Sequence, residues 1–164
     1  MSPSITTPSD WVCKEADNSL SCTTPRGLTV CLNRDSDGYG IEAVKMNGRP
    51  LGTPKRGALF ALAFTGLRPF RKDVRLPHLT TRWSQGVLTI AIEGTVETRF
   101  AKIQCGLDIR LHEKTSAVEF ILRFKTDHDI AARVEFDFHG AAEKPQWEAN
   151  LYPWAEDSIS LPQE

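Results

Sequence analysis

The residues best suited to chemistry lie on the polar sides of strand-like segments in the second half of the chain. Strand alternation puts Arg133, Glu135, Asp137 and His139 on one side of one segment. Glu119, Arg123 and Lys125 share the corresponding side of the segment before it. Lys102, Asp108, Arg110 and His112 do so one segment earlier. Carboxylates and imidazoles gathered on one sheet face can exchange hydrogen bonds with sugar hydroxyls, or move protons as general acids and bases. Asp137, His139, Glu135 and His112 are therefore the candidate acid/base groups, and Arg123 and Arg133 are candidate ligand-binding groups. A solvated face laced with cross-strand ion pairs would show the same mixture of charges.

A second set is aromatic. The chain has four tryptophans, Trp11, Trp83, Trp147 and Trp154, and Tyr152 stands close to the last. Sugar rings stack on aromatic faces, so exposed aromatics mark lectin-like sites. Trp147 and the run Asn150-Leu151-Tyr152-Pro153-Trp154 fall in a tail that no core requires. Trp147, Tyr152 and Trp154, with Trp83, are thus further candidate ligand-binding residues. The same rings could instead pin the tail to the body of the protein.

Other motifs carry less. Asn33-Arg34-Asp35-Ser36-Asp37-Gly38 matches the first half of a calcium loop, but its twelfth position is Val44 where a bidentate Glu is needed. It reads as a polar turn between two strands. Lys55, Arg56, Arg68, Arg71, Lys72 and Arg75 form a local basic cluster able to meet a carboxylate or sulfate, or simply to stay solvated. The four histidines, His78, His112, His128 and His139, lack metal spacing. No GxSxG, phosphate-cradling glycine loop or HExxH occurs. The sequence therefore gives no reason to expect a metal or a cofactor.

The segments that must position these groups are strands. Helical periodicity is almost absent, whereas alternation recurs at 28–32, 41–46, 59–64, 78–83, 87–93, 99–112, 118–125 and 133–139. Asn47-Gly48 and Ser84-Gln85-Gly86 read as tight turns. Leu88, Ile90 and Ile92 share one face, as do Ala101, Ile103, Cys105, Leu107, Ile109 and Leu111. Val118, Phe120, Leu122 and Phe124 are expected inward, and so are Val134, Phe136 and Phe138. Gly106 interrupts a long run and marks a bulge or bend. Residues 68–77 mix Pro, Arg and Lys and read as a long loop. Consecutive one-sided strands with short turns predict an all-β, antiparallel sandwich, with a closed barrel as the runner-up.

At 164 residues the chain fits one domain, with a flexible 1–10 and an extended tail over 141–164. Twenty basic and 21 acidic residues give a net charge of −1, which argues against nucleic acid and against a polybasic membrane contact. No leader or apolar span is visible, so the expected location is the cytoplasm. Cys31 and Cys105 read as buried apolar residues. Cys13 and Cys22 lie in loop-like sequence, where a bridge is allowed but not favoured.

The run Gly40-Ile41-Glu42-Ala43-Val44-Lys45-Met46-Asn47-Gly48-Arg49-Pro50-Leu51 resembles an early hairpin of galactose-mutarotase-like β-domains. Ala132-Arg133-Val134-Glu135-Phe136-Asp137-Phe138 is similar to a strand of such domains in glycoside hydrolases and polysaccharide lyases. The resemblance implies a large antiparallel sandwich whose concave face meets sugars, the fold class being a galactose-mutarotase-like (supersandwich) or a jelly-roll-like one. The family's catalytic His, set in an aromatic-flanked motif, has no match here, so no catalytic residue carries over.

The expected function is a carbohydrate-binding or carbohydrate-active accessory domain with a small-molecule or glycan ligand. The alternative is a small stand-alone enzyme, an isomerase, cyclase or lyase, working by acid/base chemistry in a β-pocket. A third reading is an assembly module that pairs through an edge strand, which would make the protein a homo-oligomer.

Overall fold

A computed structural model describes residues 10–54, 57–64, 70–136 and 138–140. Within them the chain forms thirteen strands in three sheets, and every pairing is antiparallel. The first five strands run as a meander: β1 (Val12–Ala16), β2 (Ser19–Thr23), β3 (Leu28–Asp35), β4 (Gly38–Met46) and β5 (Arg49–Pro54). A late strand, β13 (Phe138–Gly140), adds to β5 and makes this sheet six-stranded. The three-stranded sheet has β6 (Phe60–Phe64) between β7 (Phe70–Val74) and β12 (Ala132–Glu135). The four-stranded sheet is another meander, β8 (His78–Ser84), β9 (Val87–Glu97), β10 (Lys102–His112) and β11 (Val118–Thr126). No sheet closes into a barrel among the described residues. The fold is the all-β antiparallel class expected from the alternation. No described helix is long and apolar enough to cross a membrane.

Both expected tight turns form. Asn47 and Gly48 have φ of 49° and 78°, and Gln85 and Gly86 have 50° and 78°. Positive φ at both central residues is the type I′ geometry, whose twist matches that of the strands it joins. The register follows directly, with Met46 opposite Arg49 and Ser84 opposite Val87.

The inner faces of the sheets meet in one apolar core. Leu88, Ile90, Ile92, Ile103, Cys105, Leu107, Ile109 and Leu111 of β9 and β10 are all buried. They belong to the same cluster as Leu20, Cys22, Leu28, Val30, Leu32 and Ile41 of the six-stranded sheet, and as Phe60, Leu62 and Phe64 of β6. One joint between sheets is too tight for any side chain. A Cβ on Gly40 would stand 1.9 Å from the Gly57 carbonyl oxygen. Beside it, the Tyr39 N–H donates to the Leu76 carbonyl at 2.9 Å. Arg75 locks this corner. Its Nε lies 3.2 Å from Asp35, and its Nη1 donates to Asn33 Oδ1 at 3.1 Å and to the Gly38 carbonyl at 3.3 Å. Asp35 also accepts the Asp37 N–H at 2.9 Å, so the half calcium loop is a polar turn clipped by an arginine.

Several expectations change. The segment 68–77 is not one long loop, because Phe70–Val74 is strand β7. Phe70 and Val74 share their side of the strand with Lys72, so a charged residue at the middle position of that side breaks the apolar alternation. The region of Cys13 and Cys22 is not loop but the hairpin β1–β2. Gly106 is no bulge, since the β10 register runs through it unbroken on both sides.

The run 133–139 is not a single strand. It leaves the three-stranded sheet after Glu135 and enters the six-stranded sheet at Phe138. Phe136, at the crossing, is 37% exposed rather than inward, although its ring meets Phe60 and Phe120 at centroid distances of 6.3 and 5.8 Å. Val118, Phe120, Leu122 and Phe124 are only half-buried, because β11 is an outer strand with β10 as its partner.

Candidate functional site

The outer face of β8–β11 gathers polar side chains on rigid backbone. It starts from a glycine. Gly106 on β10 lies opposite Glu93 on β9 and Arg123 on β11. With no side chain at 106, the Arg123 guanidinium can lie across β10. A Cβ there would come within 3.1 Å of Nη2 and 3.3 Å of Nε. From this position Nη2 donates to Asp108 Oδ1 at 2.6 Å and to Glu93 Oε1 at 3.1 Å.

Asp108 is the unusual member. It stands on the outer side of the sheet yet is only 8% exposed. Its cross-strand neighbours, Ala91 and Ile121, offer no charge, so Arg123 supplies its one strong partner among the described residues. A carboxylate removed from water needs such a partner, because an unpaired buried charge is costly. The next rung places Arg110 between buried Thr89 and Glu119. The one after it carries His112, whose Nε2 is 3.4 Å from the diagonal Glu119 Oε2. Among the described residues, His112 Nε2 and Arg123 Nε have no hydrogen-bond partner. The His112–Glu119 contact is thus an ion pair when the imidazole is protonated, without hydrogen-bond alignment. On β8, His78 and Arg82 continue the array opposite Glu93 and Thr89.

Arg133 and Glu135 sit elsewhere, on the three-stranded sheet. Ala63 separates Arg133 from Arg71, and Ala61 separates Glu135 from Asp73. The two small residues let long side chains meet above β6. Glu135 accepts from Arg133 Nε and from Arg71 Nε, each at 2.9 Å, and Arg71 also approaches Asp73 at 3.4 Å. The hydrogen bond from Arg133 is the largest effect on the Glu135 carboxyl; burial opposes it, and the hydrogen bond from Arg71 and the charges of both arginines tip the balance, holding the group below the usual carboxylate range.

The structure therefore brings His112 and Arg123 together with Asp108, Arg110 and Glu119, and separates them from Arg133 and Glu135. The expectation that all three late segments present one common polar face does not hold, because β12 pairs with β6 rather than β11. The backbone of His139 pairs with Thr53 on the six-stranded sheet. Asp137, Trp147, Tyr152 and Trp154 lie outside the described residues. Trp83 points inward, half-buried, and meets buried Trp11 edge-to-face at 4.9 Å. Glu93 and the role of Gly106 escaped the sequence reading. The available signal was a glycine inside an otherwise regular strand, two residues from an Asp.

No match was found among protein-family models, curated proteins or solved structures.

Two outcomes follow from these networks. Gly106→Val should raise β propensity yet destabilise the protein by about 1–3 kcal/mol in urea unfolding, because its side chain displaces Arg123 from Asp108. A cost under about 0.5 kcal/mol would mean that Arg123 does not need that space. Glu135 should make stability pH-dependent. Its folded-state pKa is lowered, so its contribution is complete above the unfolded value, near 4.5, and is lost as pH falls through the folded value. The stability gap between wild type and Glu135→Gln should accordingly be open at pH 7 and close on the acid side of about pH 4.5.

Proposed function

We propose that this chain is a carbohydrate-binding or carbohydrate-active accessory β-sandwich of galactose-mutarotase-like type, with the outer face of β8–β11 as its ligand surface. One observation carries the reading: Arg123, Asp108 and Glu93 form a charged hydrogen-bonding set whose members stand on strands, not loops. Sugar hydroxyls each offer a donor and acceptors, and neighbouring hydroxyls are bound by carboxylates and guanidiniums held side by side. Groups fixed on strands lose little freedom when they bind, which favours affinity. Arg110, His112 and Glu119 extend the set along β10 and β11. The near-neutral net charge suits a neutral polar ligand better than a polyanion. Trp147, Tyr152 and Trp154 would add stacking surfaces.

The His112–Glu119 pair supports a second reading, a small isomerase, cyclase or lyase in which the imidazole exchanges a proton with a bound sugar. Both readings are tested on the full chain with a broad glycan array, followed by calorimetric titration of the best glycan. Binding should appear, and Arg123→Ala should weaken it roughly 10- to 100-fold, the effect of one lost charged hydrogen bond. Turnover of the bound glycan that vanishes in His112→Ala, with binding kept, would select the enzyme. Silence across neutral and acidic glycans, or binding indifferent to Arg123, would refute the site.

A further inference from the structure

The six-stranded sheet begins with two thiols that the proposed ligand surface does not use. Cys13 on β1 lies directly opposite Cys22 on β2. Alternation turns both to the inner side, where Cys22 is fully buried and Cys13 is half-buried against the core. Directly opposed residues of an antiparallel pair hold their Cα atoms about 4.5–5.5 Å apart, within the roughly 4.4–6.8 Å that a disulfide spans. The side chains are already in contact. The Cys22 S–H is hydrogen-bonded to Cys13, and this bond, followed by burial, pushes the Cys22 thiol well above its ordinary range. None of the four cysteines is in a disulfide.

The other two are placed so as not to compete. Cys31 stands opposite Ser21 and Ala43, one position out of phase with the Cys22–Val30 pair, and so faces the other side of the sheet. Cys105 is on β10, in a different sheet, with its sulfur directed at the Ile103 carbonyl. The two partners also differ in access. An oxidant from solvent reaches half-buried Cys13 before fully buried Cys22.

We propose that Cys13 and Cys22 form a cross-strand dithiol that hydroperoxides oxidise to an intrachain disulfide. Cys13, as its thiolate, attacks the peroxide O–O bond; its sulfur gains a hydroxyl, and the other oxygen leaves and takes a proton to become water. The Cys22 sulfur then attacks the Cys13 sulfenic sulfur. The S–S bond forms, the S–OH bond breaks, and the departing hydroxide leaves as water with the Cys22 proton. Two thiols and one hydrogen peroxide thus give one disulfide and two waters. The new bond fastens β1, an outer strand of its sheet, to β2.

Trypsin makes the test simple, because Lys14 and Arg26 place the two cysteines in separate peptides, residues 1–14 and 15–26. The full chain is treated with hydrogen peroxide and measured by intact mass and peptide mapping. The expected result is a loss of two hydrogens per chain, a linked pair of those two peptides, and reversal by dithiothreitol. The link should persist in the Cys31→Ser/Cys105→Ala variant and disappear in Cys13→Ser, whose circular dichroism should match wild type. Three results would overturn the proposal: sulfinic acid at Cys13 with no link, a link from Cys22 to Cys31 or Cys105, or thiols unchanged by peroxide that fully oxidises a model dithiol peptide.

Discussion

The register between β9 and β10 is the constraint on which the rest depends. Eleven residues of each strand pair without interruption, from Lys102 opposite Glu97 to His112 opposite Val87. Alternate rungs are apolar on the inner side, with Leu107 against Ile92, Ile109 against Ile90 and Leu111 against Leu88. The nine buried apolar side chains of these strands, Val96 among them, are together worth on the order of 10–25 kcal/mol of burial. Sliding either strand by one residue would turn its share of them toward water, so the register is strongly held.

The polar face inherits its geometry from that apolar lock. Once Leu107 and Ile109 point inward, Gly106, Asp108 and Arg110 must point outward in fixed order. β11 is set in turn by its pairing with β10, which brings Arg123 opposite the one position with no side chain to obstruct it. Asp108 can lie buried on an outer face only because of this arrangement. An arginine one rung away, or any larger residue at 106, would leave the carboxylate without its 2.6 Å partner. The acceptor set offered to a ligand is thus held in place by the core on the other side of the sheet.

Much of this was legible in the sequence, and the illegible part has a common cause. The inward sets of β9 and β10 follow from period-two alternation, and the turns at Asn47-Gly48 and Gln85-Gly86 follow from residues that accept positive φ. Both signals are local. Partner choice is not. Nothing near Arg133 or Glu135 reveals that they pair with Ala63 and Ala61, some seventy residues earlier, rather than with β11. Alternation likewise cannot show that the chain changes sheets around Phe136. Strand β7 was hidden because Arg71, Lys72 and Asp73 resemble loop composition, while Arg71 meets the Glu135 carboxylate and Lys72 the Glu97 carbonyl across space. The sequence offers Trp83 as a candidate ligand-binding ring, whereas the structure turns it inward against Trp11, a partner more than seventy residues away that alternation cannot reveal.

The most direct test of the account is the coupling between Arg123 and Asp108 in a double-mutant cycle of unfolding free energies, using Arg123→Met, Asp108→Asn and the pair. If the β9–β10–β11 register holds the guanidinium over Gly106 and onto the buried carboxylate, the two changes should be non-additive by about 1–3 kcal/mol. Additivity within about 0.3 kcal/mol would show that the two groups do not meet in solution, and the face built around them would have to be abandoned.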